Sequence, residues 1–172
     1  VMARRQRQMC IRDRPRTNQN IVIGGAAGAA PVLIGWTSTG TPLDTGSWLL
    51  FLLVFLWTPA HFWALSIENV EDYRGADFPM LPTQESKKRT AIFIGIYSCA
   101  TVITSFLIAP ILQLGLIYLF LSLIFGTYLM IKSYSLYSDK IKPISYFLFS
   151  NTYLAVIFLS MVADILFTIR NT

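Results

Sequence analysis

The chain has 172 residues, 54% of them hydrophobic and only 13% charged, with a mean hydropathy of +0.54 and a formal net charge of +5. Charged residues approach a quarter of an ordinary soluble domain, so this composition excludes a water-soluble globular protein and reads as one compact, all-α, polytopic membrane bundle. Cys10 and Cys99 lie far apart without a pairing or metal spacing, and the single histidine, His61, excludes a multi-histidine metal site within the chain.

Residues 1–14 have neither an apolar core nor a cleavage site, so they are not a signal peptide. The run Arg5–Asp13 resembles translated sequencing-adaptor sequence, and residues 1–14 are expected to be a non-native segment ahead of one membrane domain over 15–172. Five apolar runs follow, at about 21–36, 48–67, 91–110, 114–131 and 144–168. Each is near the ~20 residues needed to cross a hydrocarbon core of about 30 Å, which predicts five transmembrane helices. The first holds Gly24 and Gly28, a small-xxx-small pair that predicts close approach by a neighbouring helix. These glycines lack both a preceding strand and the G-x-G-x-x-G spacing of a dinucleotide loop.

Basic residues alternate with the runs. Residues 1–20 hold six, 68–90 hold four (Arg74, Lys87, Lys88, Arg89) and 132–143 hold three, while 37–47 and 111–113 hold none. Lys and Arg in short loops stay on the cytoplasmic side, so the loop after His61 is predicted to be cytoplasmic. The net charge then reflects topology. No basic groove studded with aromatics is present, and no nucleic-acid partner is expected.

The second run ends in Trp57-Thr58-Pro59-Ala60-His61-Phe62-Trp63-Ala64-Leu65 and leads into Glu68-Asn69-Val70-Glu71-Asp72-Tyr73-Arg74, the densest acidic cluster. If one helix continued through this stretch, Glu68 and Asp72 would each lie within roughly 20° of His61 on a face turned into the bundle. His61 reads either as a cavity group or as an interior histidine hydrogen-bonded to a neighbouring helix. Lys87-Lys88-Arg89 reads either as a topological anchor or as a phosphate binder. Trp36, Trp48 and the tyrosines of 134–153 read as membrane-interface residues, Asp164 as reaching interfacial water, and Asn151 and Gln113 as helix contacts.

Three blocks carry a family resemblance: Asn20-Ile21-Val22-Ile23-Gly24-Gly25-Ala26-Ala27-Gly28-Ala29-Ala30-Pro31, then Trp57–Leu65, then Asp72-Tyr73-Arg74 followed by Phe78-Pro79-Met80-Leu81-Pro82. In order and spacing the chain resembles the UbiA-like intramembrane prenyltransferases, and within them the C-terminal half of the haem-directed branch, the protohaem IX farnesyltransferases (haem O synthases). Where that branch commonly has two prolines before the histidine, this chain has Pro59-Ala60, and Asp77 stands where glycine is common.

The resemblance implies a fragment of a nine-helix fold in a bacterial cytoplasmic membrane, with active-site loops on the cytoplasmic side. It implies transfer of a farnesyl group from farnesyl diphosphate to a vinyl group of haem B, with Mg²⁺ holding the diphosphate. Asp72, His61 and Tyr73 are the implied catalytic residues. Arg74, Glu68, Trp57, Trp63, Asn20 and Lys87 are the implied substrate contacts, and Asp72 with Glu68 the implied metal ligands. A first Asn/Asp-rich motif would belong to an absent N-terminal half, a partner without which the chain is expected to be inactive. The residue types suit the chemistry: a hard cation on carboxylates offsets charge on a departing diphosphate, and aromatic walls shield an allylic cation from water. Membrane lipid is the remaining expected partner. Two alternatives stay open, a UbiA-like transferase with a quinone-precursor or chlorophyllide acceptor, and a transporter or assembly factor using the same interior groups as a relay.

Overall fold

Apolar segments in lipid must satisfy every backbone N–H and C=O internally, and the glycine- and alanine-rich first run has no other way to do so than a helix. The computed structural model describes residues 20–76 and 79–171. The expectations for residues 1–14 and Asp77 lie outside the described residues. The described chain is all helical: α1 (Asn20–Thr37), α2 (Thr45–Glu68), the short α3 (Val70–Gly75) and α4 (Leu81–Gln84), α5 (Lys87–Ile111), α6 (Leu116–Tyr137) and α7 (Pro143–Asn171). Five of these are long and apolar enough to cross a membrane, in register with the five predicted runs, and the molecule is an integral membrane protein.

Local chemistry sets the helix ends. Asp44 caps α2, its Oδ1 accepting from Ser47 N at 2.8 Å while Ser47 Oγ accepts from Asp44 N at 3.0 Å. Ser86 Oγ accepts from Arg89 N and starts α5 four residues before its apolar run. Gly115 gives α6 no side-chain cap of its own. Asp164, far along α7, accepts the Gly115 N–H instead and is buried. This corrects the reading of Asp164 as a water-facing residue: an anion at a helix N-terminus is stabilised by the orphan N–H groups there.

Helix α2 is the hub. It packs on α1, α5 and α7, and α6 closes the ring between α5 and α7. Serine and tyrosine hydroxyls join these helices inside the bundle, Tyr146 to Ser98 at 2.6 Å, Ser122 to Ser105 at 3.1 Å and Tyr118 to the Ser105 carbonyl at 2.6 Å. Tyr146 and Tyr153 are thus buried core residues, not interface tyrosines, whereas Tyr134 and Tyr137 are exposed as expected. Asn151 is exposed and takes no interior position.

Helix α1 is attached mainly through Gly25 and Ala29, its two buried residues. Gly25 approaches Thr58, where an added Cβ would lie 3.5 Å from that side chain, whereas nothing comes within 4 Å of a Cβ at Gly24 or Gly28. The close-approach face is therefore one residue round from the predicted pair. Gly24 and Gly28 border a cavity instead.

The bundle ends differ in charge. One end gathers Asn20, whose Nδ2 donates to Pro79 O, the Lys87–Asp139 ion pair, and Ile144 N donating to Glu68. Every described basic side chain lies at that end: Arg74, Lys87, Lys88, Arg89, Lys132, Lys140 and Lys142. The opposite end holds the 38–44 turn, where Trp36 Nε1 donates to Pro42 O, and the Gly115–Asp164 contact.

Candidate active-site cavity at the charged end of the bundle

The helix carrying His61 does not run on into the acidic cluster. At Asn69 (φ −105°, ψ 29°) α2 stops, with Asn69 N and Nδ2 both donating to Leu65 O. An asparagine amide competes with the backbone for such carbonyls and favours helix ends. The inward face expected for His61, Glu68 and Asp72 is accordingly broken: His61 is buried, Glu68 and Asp72 are exposed.

His61 sits between two aromatic rings, Trp57 at 4.3 Å and Phe147 at 4.1 Å, each within 23° of parallel. Its Nδ1 is 2.7 Å from Ser150 Oγ. Ser150 donates its one hydroxyl proton to Phe147 O at 2.8 Å, so toward His61 it is left to accept, which suits an imidazole carrying its proton on Nδ1. Trp57 Nε1 donates to the Ser150 carbonyl at 2.9 Å. The histidine is buried and bonded to a neighbouring helix, and it clamps α2 to α7.

Beside Trp57 lies a cavity of about 730 Å³, the size of a small-molecule site. Helix α1 lines it with Asn20, Ile21, Gly24, Gly25 and Gly28; α2 lines it with Val54, Trp57, Thr58 and Phe62; Tyr73, Ala76 and Met80 complete it from the connection that follows. The walls are apolar and aromatic. Side-chain-free glycines on α1 leave the room, and the Asn20 bond to Pro79 ties the start of α1 to the connection.

Of the residues predicted from sequence, the cavity brings together Asn20, Trp57 and Tyr73. His61 stacks on the Trp57 ring but is not part of the lining. Trp63 is corrected: it is fully buried and packs edge-on against Phe93 and Tyr97 of α5, two positions round the helix from His61 and on the side facing that neighbour. Asp72 precedes Tyr73 on α3, exposed, with its carboxylate in no ion pair among the described residues. Glu68 turns to the start of α7, its Oε2 accepting from Ile144 N at 3.4 Å. Arg74 pairs with Glu71 at 2.9 Å, and Lys87 pairs with Asp139 across the 138–142 turn.

No group of three or more His, Cys, Asp or Glu side chains converges among the described residues. Mg²⁺ in such sites is usually held by one or two carboxylates plus substrate phosphates, and the exposed Asp72, one residue before the cavity-lining Tyr73, suits that sparse demand. Glu68 would have to leave Ile144 N to join it. Phe147 and Ser150 carried no signal as site residues, since they meet His61 only across 86 to 89 positions of chain.

The UbiA prenyltransferase family model matches residues 12–164. A protein of Thermus thermophilus named protoheme IX farnesyltransferase is 42% identical over 151 residues, covering 87% of this chain and 25% of that protein. Proteins of the same name from Rhodococcus jostii and Mycolicibacterium smegmatis are 40% and 38% identical over 154 residues, again over 87% of this chain and 50% and 49% of theirs. The chain spans between a quarter and a half of the length of these relatives. No solved structure matches it significantly. A family match over most of the chain, on a bundle of five membrane-spanning helices, shows that this chain belongs to the UbiA prenyltransferase family.

Proposed function

We propose that the chain is the C-terminal half of an enzyme that transfers a farnesyl group from farnesyl diphosphate to a vinyl group of haem B, giving haem O. The observation that carries the proposal is the apolar cavity walled by Trp57 and Phe62 and bordered by Tyr73, the residue that follows the exposed Asp72 on α3. The name shared by the relatives supplies the acceptor.

In this reading the isoprenyl chain lies along α1, where glycines leave space, and its diphosphate faces the charged end. Asp72 would hold Mg²⁺, which would supply charge neutralisation for the departing diphosphate. Trp57 and Phe62 exclude water and offer ring faces to the allylic cation. Tyr73 and Arg74 meet the diphosphate, Arg74 after releasing Glu71, since a guanidinium grips phosphate through two parallel hydrogen bonds. Lys87 and Glu68 act beside them in the same cytoplasmic loops. His61 keeps Trp57 upright from behind. The membrane is the bacterial cytoplasmic membrane, and the chain alone is inactive because the first, Asn/Asp-rich motif comes from an N-terminal half.

The test is conversion of haem B to haem O in membranes given farnesyl diphosphate and Mg²⁺, with the chain joined to its own N-terminal extension, beside the chain alone and an Asp72→Ala variant of the longer protein. Product from the longer protein only, lost in the variant, is expected. A folded longer protein that makes no haem O would overturn the haem acceptor.

A further inference from the structure

A second groove, of about 540 Å³, runs along the exposed flank of α6 and α7, away from the first cavity. Its walls include Leu123, Phe125, Tyr128 and Ile131 of α6 and Phe149 of α7. Phe125 and Phe149 lie parallel at 6.2 Å, and Tyr128 meets Phe149 edge-on at 4.6 Å, forming an aromatic wall. One helical turn beyond Tyr128 stands Lys132, its Nζ 5.5 Å from the centre of the Tyr128 ring and 3.0 Å from Ser145 Oγ, to which it donates.

Lys132 has no carboxylate within 4 Å among the described residues. Asp139 is engaged with Lys87 and Glu68 with Ile144 N. Ser145 N donates to Lys142 O, which brings a second lysine to the same corner. An ammonium with one hydroxyl partner keeps two N–H donors and a full charge.

Depth matters as much as charge. Leu123 to Ile131 spans roughly 12 Å of helix, close to the ~15 Å of one hydrocarbon leaflet. Lys132 therefore stands at headgroup depth when the groove lies within a single leaflet. An uncompensated cation at that depth, above an apolar channel, complements a molecule with an anionic head and an alkyl tail. Anionic lipids concentrate on the cytoplasmic leaflet, the side that basic loops select.

We propose that this corner binds an anionic phospholipid, its phosphate on Lys132 and one acyl chain along Phe125, Tyr128 and Phe149. The site is independent of the prenyl-transfer reading.

The full chain, purified in mild detergent and exchanged against equal amounts of phosphatidylglycerol and phosphatidylcholine, tests this by native mass spectrometry of the retained lipid. Phosphatidylglycerol should be retained about fivefold over phosphatidylcholine, the discrimination expected of one interfacial lysine. Lys132→Met should abolish the preference and Lys140→Met should keep it. Leu123→Trp, which fills the groove and leaves the cation in place, should lower retention of both lipids, and Lys132→Arg should restore the preference if Lys132→Met does not elute as a folded species. Equal retention of the two lipids by the unaltered chain, an undiminished preference in folded Lys132→Met, or an equal loss in Lys140→Met would overturn the proposal.

Discussion

Ser150 shows how much one side chain can hold in place. Its hydroxyl accepts the Nδ1 proton of His61 while its carbonyl accepts the Trp57 indole N–H, so one residue of α7 orients two rings of α2. Ser150→Ala removes the acceptor of a buried N–H but leaves the carbonyl, and the cost of one unsatisfied buried donor is about 1–3 kcal/mol. A lowered thermal midpoint is expected in Ser150→Ala, with the Trp57 tether retained; an unchanged midpoint would mean that the hydroxyl does not hold His61. The sequence marked Trp57 and His61 through their motif. It did not mark Ser150 or Phe147, because serine and phenylalanine in an apolar run are ordinary and the pairing spans 89 positions. Trp63 went the other way: it shares the motif, yet its rotation about α2 commits it to α5.

The apolar runs located the helices, and polar residues set their ends: Asp44 and Ser86 cap α2 and α5, which start three and four residues before the runs that marked them, and Asn69 ends the helix that simple periodicity carried on to Asp72. The start of α6 is different, since its anion, Asp164, comes from another helix. Between elements, the Lys87–Asp139 pair fastens the start of α5 to the turn before α7. Hydrogen bonding from Lys87, and next its positive charge, hold the exposed Asp139 carboxyl below its ordinary value. A depressed carboxyl pKa stabilises the fold above the ordinary carboxylate value of about 3.9, and that contribution disappears as pH falls through the depressed value. Carboxyl NMR titration of Lys87→Met should show the Asp139 midpoint moved up toward the ordinary value. A midpoint that stays put would show that Lys87 does not set it.

At the scale of the molecule, the gathering of described basic side chains at one end gives the bundle a polarity. Because Lys and Arg are retained on the cytoplasmic side, the 138–142 turn is expected inside and the 38–44 turn outside. Single cysteines at Thr41 and Lys140, in a chain with Cys10 and Cys99 replaced, should react with a membrane-impermeant maleimide from opposite faces of oriented vesicles, Lys140→Cys from the cytoplasmic face. Reaction from one face only, or in the reversed sense, would overturn this orientation.

The number of membrane-spanning helices among the described residues, their approximate ends and the bundle end at which charge collects followed from the sequence alone, because partition into lipid is decided segment by segment from local apolarity and local polar ends. Which faces meet did not. Lipid is as apolar as leucine, so a buried stripe and a lipid-facing stripe read alike, and packing of small and aromatic side chains decides between them. Tertiary structure therefore chose α2 as the hub, moved the close approach to Gly25, took His61 to α7 and Trp63 to α5, and turned Glu68 to the start of α7.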